Sequence, residues 1–439
     1  MHEVFQISRT LLQRIAIFGG FVVKKNLMPY IVCFSAALFL AYELMQLHMM
    51  NAIAPLLMQD LQLSAMGFGY ISATYLLADV LFLLPAGMIL DRFDVRRVIL
   101  SALFVCILGT VGFASSHHLL VAAFCHFLSG IGNAFCFLSC MILVTRWFEE
   151  KMRGRIMGLI ITIGMLGAFI AQSPFSLLAE ALGWRNALYL DALIGLLLFA
   201  LLFITIKENC TSKKVHQTIP LFEALKASIK NPVTLRVGLY TSLLNLPLMV
   251  LSAVFASLFL TQIHHFSLSQ SAFIASMIAI GTIFGSPIYG SLSDYFGMRR
   301  LWMIFGAILS SAIMTLIIFS PSNPLYIGVL FFLLGLFTSS QVLGYPTITE
   351  HSPKNLEGTS MGIAAVIIMG LPMLIQPLVG TIMDLLWRGK ITDLQSRIYP
   401  FESFLAAFLL LPIFFLVAAY LVIAPFEKED SATNTQVLS

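Results

Sequence analysis

Twelve long apolar runs separated by short polar breaks set the pattern of this chain. They fall at residues 29–51, 66–88, 97–115, 118–144, 155–180, 185–206, 234–263, 270–292, 299–319, 324–349, 359–386 and 401–425. About 20 apolar residues at a rise of about 1.5 Å each cross a hydrocarbon core of about 30 Å. The runs are continuous and do not alternate with period two, which predicts membrane-spanning helices rather than barrel strands. No short apolar core with a small-residue cleavage site precedes the first run, so no removable signal peptide is expected. Ahead of it, Val4, Ile7, Leu11, Leu12, Ile15 and Phe18 fall at helical spacing around Arg9 and Arg14. Residues 4–18 therefore read as an amphipathic helix lying on the membrane surface.

Composition agrees with that pattern. The chain of 439 residues is 59% hydrophobic and 10% charged, with a mean hydropathy of +0.94. Soluble domains average about 45–50% apolar and about 25% charged. A soluble enzyme, a disordered protein and a nucleic-acid binder are thereby excluded, and the net charge of +4 adds no reason to expect a nucleic-acid partner. Six cysteines without paired spacing give no disulfide or zinc framework, so no metal site and no cofactor is expected. Of the 25 Lys and Arg residues, all but Arg185, Arg388, Lys390 and Arg397 fall in the termini or in the even-to-odd connections. By the positive-inside bias both termini are cytoplasmic. Lys and Arg enter the apolar runs only at their first few positions, and none lies in a run's interior.

The chain is also written twice. Gly87, Asp91, Phe93, Arg96 and Arg97 recur as Gly290, Asp294, Phe296, Arg299 and Arg300, at an offset of 203. Phe127, Leu128 and Gly130 recur as Phe332, Leu333 and Gly335 (offset 205), Gly154, Met157 and Gly158 as Gly358, Met361 and Gly362 (offset 204), and Pro174 as Pro377. A period near 204 predicts an all-α membrane protein of two six-helix halves in parallel orientation, with a binding site between them. The expected units are an N-terminal segment 1–28, a first half 29–206, a cytoplasmic linker 207–233, a second half 234–426 and a tail 427–439.

The duplicated Gly-x-x-x-Asp-Arg-Phe-x-x-Arg-Arg loop resembles the signature loop of the major facilitator superfamily. Trp147-Phe148 with Arg153-Gly154-Arg155, and Gly183-Trp184-Arg185, are similar to that family too. The resemblance covers about residues 29–425. It implies that Asp91, Arg92, Arg96 and Arg97, with Asp294, Arg299 and Arg300 in the second half, form charged latches that gate the transition between outward- and inward-facing states. Asp94 stands where the family usually has glycine, and Tyr295 where it usually has a basic residue. The resemblance also implies that spans 1, 4, 7 and 10 line the central cavity.

Ionisable residues inside a membrane are costly, and each is a functional candidate. Away from the ends of the runs they are Glu43 in span 1, Asp79 in span 2 and Asp191 in span 6, with His48 and His126. Desolvation disfavours the charged form of an unpaired carboxyl, and a group that fills and empties near neutral pH is what proton coupling requires. Glu43 is the leading candidate, sharing its helix face with Gln46 and Met50. Asp79 shares a stripe with Tyr75 and Ser72. His126 stands where the family's span 4 often carries an arginine, and it titrates near neutrality. For Asp191, seven residues from the outer end of its span, pairing with Arg185 or interfacial water is the preferred account. His48 is placed at the interface. Neutral polar residues expected to line the cavity are Gln46, Asn133, Gln172, Asn245, Ser340, Gln341 and Tyr345.

No Walker motif, metal cluster or catalytic constellation is present. The expected protein is a monomeric secondary active transporter in the lipid bilayer of a bacterial inner membrane, importing a small organic solute with protons. The alternatives are a proton-driven efflux antiporter, a siderophore transporter and a passive facilitator. The Lys- and Arg-free span interiors argue against phosphate esters, leaving neutral, zwitterionic or cationic solutes.

Overall fold

A computed structural model describes residues 27–206, 228–352, 357–391 and 397–424. The side chains of Met88, Asp91, Arg92, Glu150, Lys151, Gly154, Arg155, Asp294, Glu357 and Gly358 also lie outside the description. So do the amphipathic segment expected at 4–18, most of the linker and the tail.

The described residues contain twelve helices long and apolar enough to cross a membrane. In the first half they are α1 (Met28–Asp60), α2 (Ala65–Arg92), α3 (Val95–Ala114), α4 (Leu119–Trp147), α5 (Glu150–Leu182) and α6 (Trp184–Thr205). In the second they are α7 (Pro232–Ile263), α8 (Leu268–Phe296), α9 (Arg299–Ile318), α10 (Pro324–Glu350), α11 (Glu357–Leu385) and α12 (Phe401–Leu421). The expected spans are all present. Several helices outrun their apolar runs, α1 by nine residues at its end, because protein packing rather than lipid covers the additional turns.

Local sequence sets the starts and the breaks. Ser64 and Ser267 cap α2 and α8 by accepting from the Gly67 and Gln270 amides, at 3.1 and 3.2 Å. Asp94, in its unusual place in the signature loop, caps α3 through the Arg96 amide at 2.8 Å. Its counterpart in the second half is Gly297, at φ +63°, where the left-handed turn favours glycine. Pro247 lacks an N–H and clashes with the preceding turn. Over Pro247–Phe255 the α7 ladder widens to a π-helix. A 3₁₀ turn over Ser339–Leu343 interrupts α10, and Leu409 breaks α12.

The Phe-Leu-x-Gly repeat has a packing explanation. A Cβ at Gly130 would stand 2.8 Å from Tyr75 Cα, and one at Gly335 would stand 2.9 Å from Ile278 Cα. α4 thus abuts α2 as α10 abuts α8, backbone to backbone, a device common where lipid offers no hydrophobic drive.

Between the halves, α2 packs on α11, α5 on α8, and α1 on the π segment of α7. The hydrogen bonds that cross from one half to the other among the described residues lie toward the end carrying the odd-to-even connections. Gln172 Nε2 donates to the Ser252 carbonyl at 2.8 Å, and the Ser257 amide to Asn51 Oδ1 at 2.7 Å. At the opposite end nothing lies within 4 Å of a Cβ built on Gly87, Gly158 or Gly290. Among the described residues, hydrogen bonds fasten the halves at one end.

Candidate coupling site

The in-span acids converge within the first half. Glu43 is fully buried. Tyr75 Oη of α2 donates to Glu43 Oε2 at 3.0 Å and also lies 2.9 Å from the Glu43 carbonyl. Glu43 Oε1 has no hydrogen-bond partner and lies against Gly132 of α4, where any side chain would collide with it. The sequence pattern makes this possible: Glu43 on α1, Tyr75 on α2 and the small Gly132 on α4 meet where three helices touch.

Tyr75 links two of the three coupling candidates. Its ring lies 5.2 Å from the His126 imidazole, which stacks at 5.3 Å on Phe113 from the other side. His126 is 1% exposed, and its Nδ1 has no partner. Asp79, one turn beyond Tyr75 on α2, interacts with Asn133 of α4. Glu43 lies within electrostatic reach of both Asp79 and Asp191.

Asp191 departs from its expected surroundings. It is 1% exposed, and Arg185 pairs with Asp60 instead. Gln46 Nε2 of α1 donates to Asp191 Oδ2, Tyr42 Oη approaches the same oxygen at 3.4 Å, and Oδ1 has no partner. Thr110 Oγ1 of α3 donates to Gln46 Oε1 at 3.2 Å. Gln46 therefore faces α3 and α6 inside the first half, not the space between the halves. His48, placed at the interface from sequence, is also buried, at 1% exposure.

The other expected cavity residues divide. Gln172 spans the interface, accepting from Asn51 Nδ2 at 2.7 Å while donating to Ser252. Ser340 meets Tyr240 Oη at 3.0 Å inside the second half. Asn245 and Gln341 are nearly buried, whereas Asn133 is half-buried and Tyr345 exposed. Of the latch residues, Arg96 donates to the Phe203 carbonyl of α6 at 2.6 Å and stacks on that ring. Arg299 pairs with Glu350 at 2.6 Å, Arg97 is exposed and Arg300 half-buried. Asp91, Arg92 and Asp294 lie outside the described side chains. Sequence reasoning did not find Tyr42, Asn51, Thr110 or Gly132. Each is an ordinary residue for a span, and only the fold places it against an acid or an amide.

This geometry stands beside clear relationships to known proteins. The sequence matches the Major Facilitator Superfamily over residues 31–260 and 243–437. The chain belongs to this superfamily. Among similar proteins are the probable galactarate/D-glucarate transporters GudP of Escherichia coli, 24% identical over 345 residues, and GarP of the same species, 25% identical over 346. These alignments cover 70% of this chain and 76% and 77% of the two relatives. The fold is similar to a bacterial homologue of the lysosomal transporter Spinster in an inward-facing, occupied conformation (TM-score 0.76, 15% identity, 91% of this chain and 97% of that one). It is also similar to a D-xylose-proton symporter (TM-score 0.70, 13% identity, 91% and 98%). The superfamily member described here is an integral multi-pass membrane protein and a secondary transporter of a small molecule, not an enzyme.

Proposed function

We propose that this transporter imports an uncharged, zwitterionic or cationic organic solute together with protons, and that Glu43 carries the proton. The observation behind this reading is the buried trio Glu43, Asp79 and Asp191 in spans whose interiors hold no Lys or Arg. Without a cation to fix them as carboxylates, these groups exchange charge only by exchanging protons. Among the described residues Glu43 has no ionised partner: Tyr75 donates to one oxygen, and the other lies against Gly132, with the Cys106 thiol of α3 close by. His126, beside the Tyr75 ring, and Asp79, one turn along α2, are the neighbours through which a proton enters or leaves.

With both termini cytoplasmic, the fastened end is the outer one, and the halves stand in an inward-facing arrangement. Asp91, Arg92, Arg96 and Arg97, with Asp294, Arg299 and Arg300, then close the cytoplasmic end in the alternate state. Asn133, Phe137 and Met141 follow one face of α4, and Phe337, Gln341 and Tyr345 are their counterparts in α10 at the repeat period of 204. These two faces form the solute path.

Sugar diacids, named for the relatives, are the second reading. A dianion calls for Arg or Lys donors, which the interiors of this chain's spans lack. Uptake into proteoliposomes under an imposed inward proton gradient, with labelled sugars, amino acids and D-glucarate, tests both. Gradient-dependent accumulation of a neutral solute supports the proposal. Accumulation of D-glucarate alone, or equilibration that ignores the gradient, overturns it.

A further inference from the structure

The end at which the halves are fastened carries a second internal duplication. At the start of α2, the Met66 amide donates to Asp384 Oδ2 of α11 at 3.0 Å, and the Ala65 amide lies 3.2 Å from Asp384 Oδ1. At the start of α8, the Ser269 amide donates to Glu180 Oε1 of α5 at 2.9 Å. Met66 and Ser269 are both the second residue of their helices and stand 203 positions apart, while Glu180 and Asp384 stand 204 apart. These offsets match the period of the whole repeat. Each bond runs from one half to the other. A carboxylate from the last turns of α5 or α11 thus sits on the open amides and positive dipole end of the opposing half's second helix.

We propose that Asp384 and Glu180 are paired gate residues, a twofold-related latch that holds this end of the transporter shut and must release for it to open. The latch goes beyond the coupling proposal and does not depend on it; it requires only that the halves move as a secondary transporter's do. The serines capping α2 and α8 already satisfy the third-residue amides within each helix. The bonds that the carboxylates add to the two helix starts run only between halves, so these bonds stabilise the closed arrangement rather than the helices themselves.

The two copies differ in strength. Asp384 is held by Arg397 Nη1 at 3.1 Å and by Tyr399 Oη at 2.6 Å, and Tyr399 Oη also accepts from the Ala65 amide at 2.7 Å. Burial, the largest cause, raises the Tyr399 hydroxyl well above the usual phenol range, so it remains a donor. Glu180 is exposed. Carboxylates at helix N-termini range from weak when exposed to several times stronger when partly buried. Loss of Asp384 is therefore expected to shift the closed-to-open ratio about fivefold, and loss of Glu180 about twofold.

The test measures distances by electron-electron resonance between spin labels at L120C and L325C, exposed starts of α4 and α10 at this end, with Cys210 replaced by serine. D384N and E180Q should each increase the long-distance population, D384N more, and the double variant should multiply the two effects. The pair L120C and L182C, within one half, should keep its distance. D384E with E180D retains both charges and should stay near the parent distribution. An unchanged distribution in the double variant overturns the latch, as does an equal shift in the charge-retaining variant. A shift from only one acid overturns the pairing.

Discussion

Gly132→Ala perturbs the proposed coupling group without changing any ionisable residue. A Cβ at position 132 would stand 2.7 Å from Glu43 Cδ and 3.0 Å from Glu43 Oε2, closer still to Oε1. Ordinary contacts of this kind are about 3.5–4.0 Å, so the carboxyl must retreat by about 1 Å. Tyr75 Oη now sits 3.0 Å from Oε2, and a retreat of that size takes the pair out of hydrogen-bond range. The lost bond costs about 1 kcal/mol and the added methyl about 1–3 kcal/mol. Because the colliding atoms end a flexible side chain, the helices stay in place. pH-driven accumulation in proteoliposomes should fall about tenfold or more, while gradient-free counterflow exchange stays close to the parent's and thermal stability in detergent falls only modestly. Gly130→Ala is the control. There the Cβ meets Tyr75 backbone, which cannot yield, so both transport modes and stability should fall together. If Gly132→Ala accumulated solute like the parent, the assignment of Glu43 as carrier would lose its structural basis.

Two further expectations follow from the same geometry. Asp191→Asn keeps hydrogen bonding to Gln46 and Tyr42 but removes a titrating group; accumulation should fall by a smaller factor than in Gly132→Ala, and an undiminished rate would confine Asp191 to packing. Single cysteines at 147–153 and 207–233 should label only from the cytoplasm and those at 264–268 only from outside, whereas the reverse pattern would turn the inward-facing assignment around.

Much of the fold was legible because hydrocarbon imposes a single rule, that backbone groups bond internally over about 20 residues. The duplicated Asp91 and Asp294 loops and the paired Gly130 and Gly335 were visible because a repeat keeps the residues its packing needs. Pro247, which has no N–H to donate, stands where α7 changes its winding. The site was less legible. The cost of burying a carboxyl singled out Glu43, Asp79 and Asp191, but not their partners. Asp191 was read toward Arg185, six residues away in sequence, whereas Asp60 at the end of α1 claims that arginine. Gln46 shares a helix face with Glu43, yet Asp191 and Thr110 draw its amide into the first half. Side-chain choices of this kind depend on contacts up to 149 residues apart, which helical spacing does not encode. The Met66–Asp384 and Ser269–Glu180 bonds are a further case, because an acid near a helix end looks like any polar boundary until the opposing half is in place.

Glu43 as carrier of the coupled proton is tested most directly by removing its proton alone. Glu43→Gln keeps the shape and most of the hydrogen bonding but cannot release a proton. The decisive measurement compares counterflow exchange with accumulation driven by a proton gradient, in the same proteoliposomes, using the solute found by uptake screening. Counterflow near the parent rate with no accumulation above equilibrium is the predicted result. Accumulation at the parent level would contradict it and move the coupling role to Asp79, His126 or Asp191.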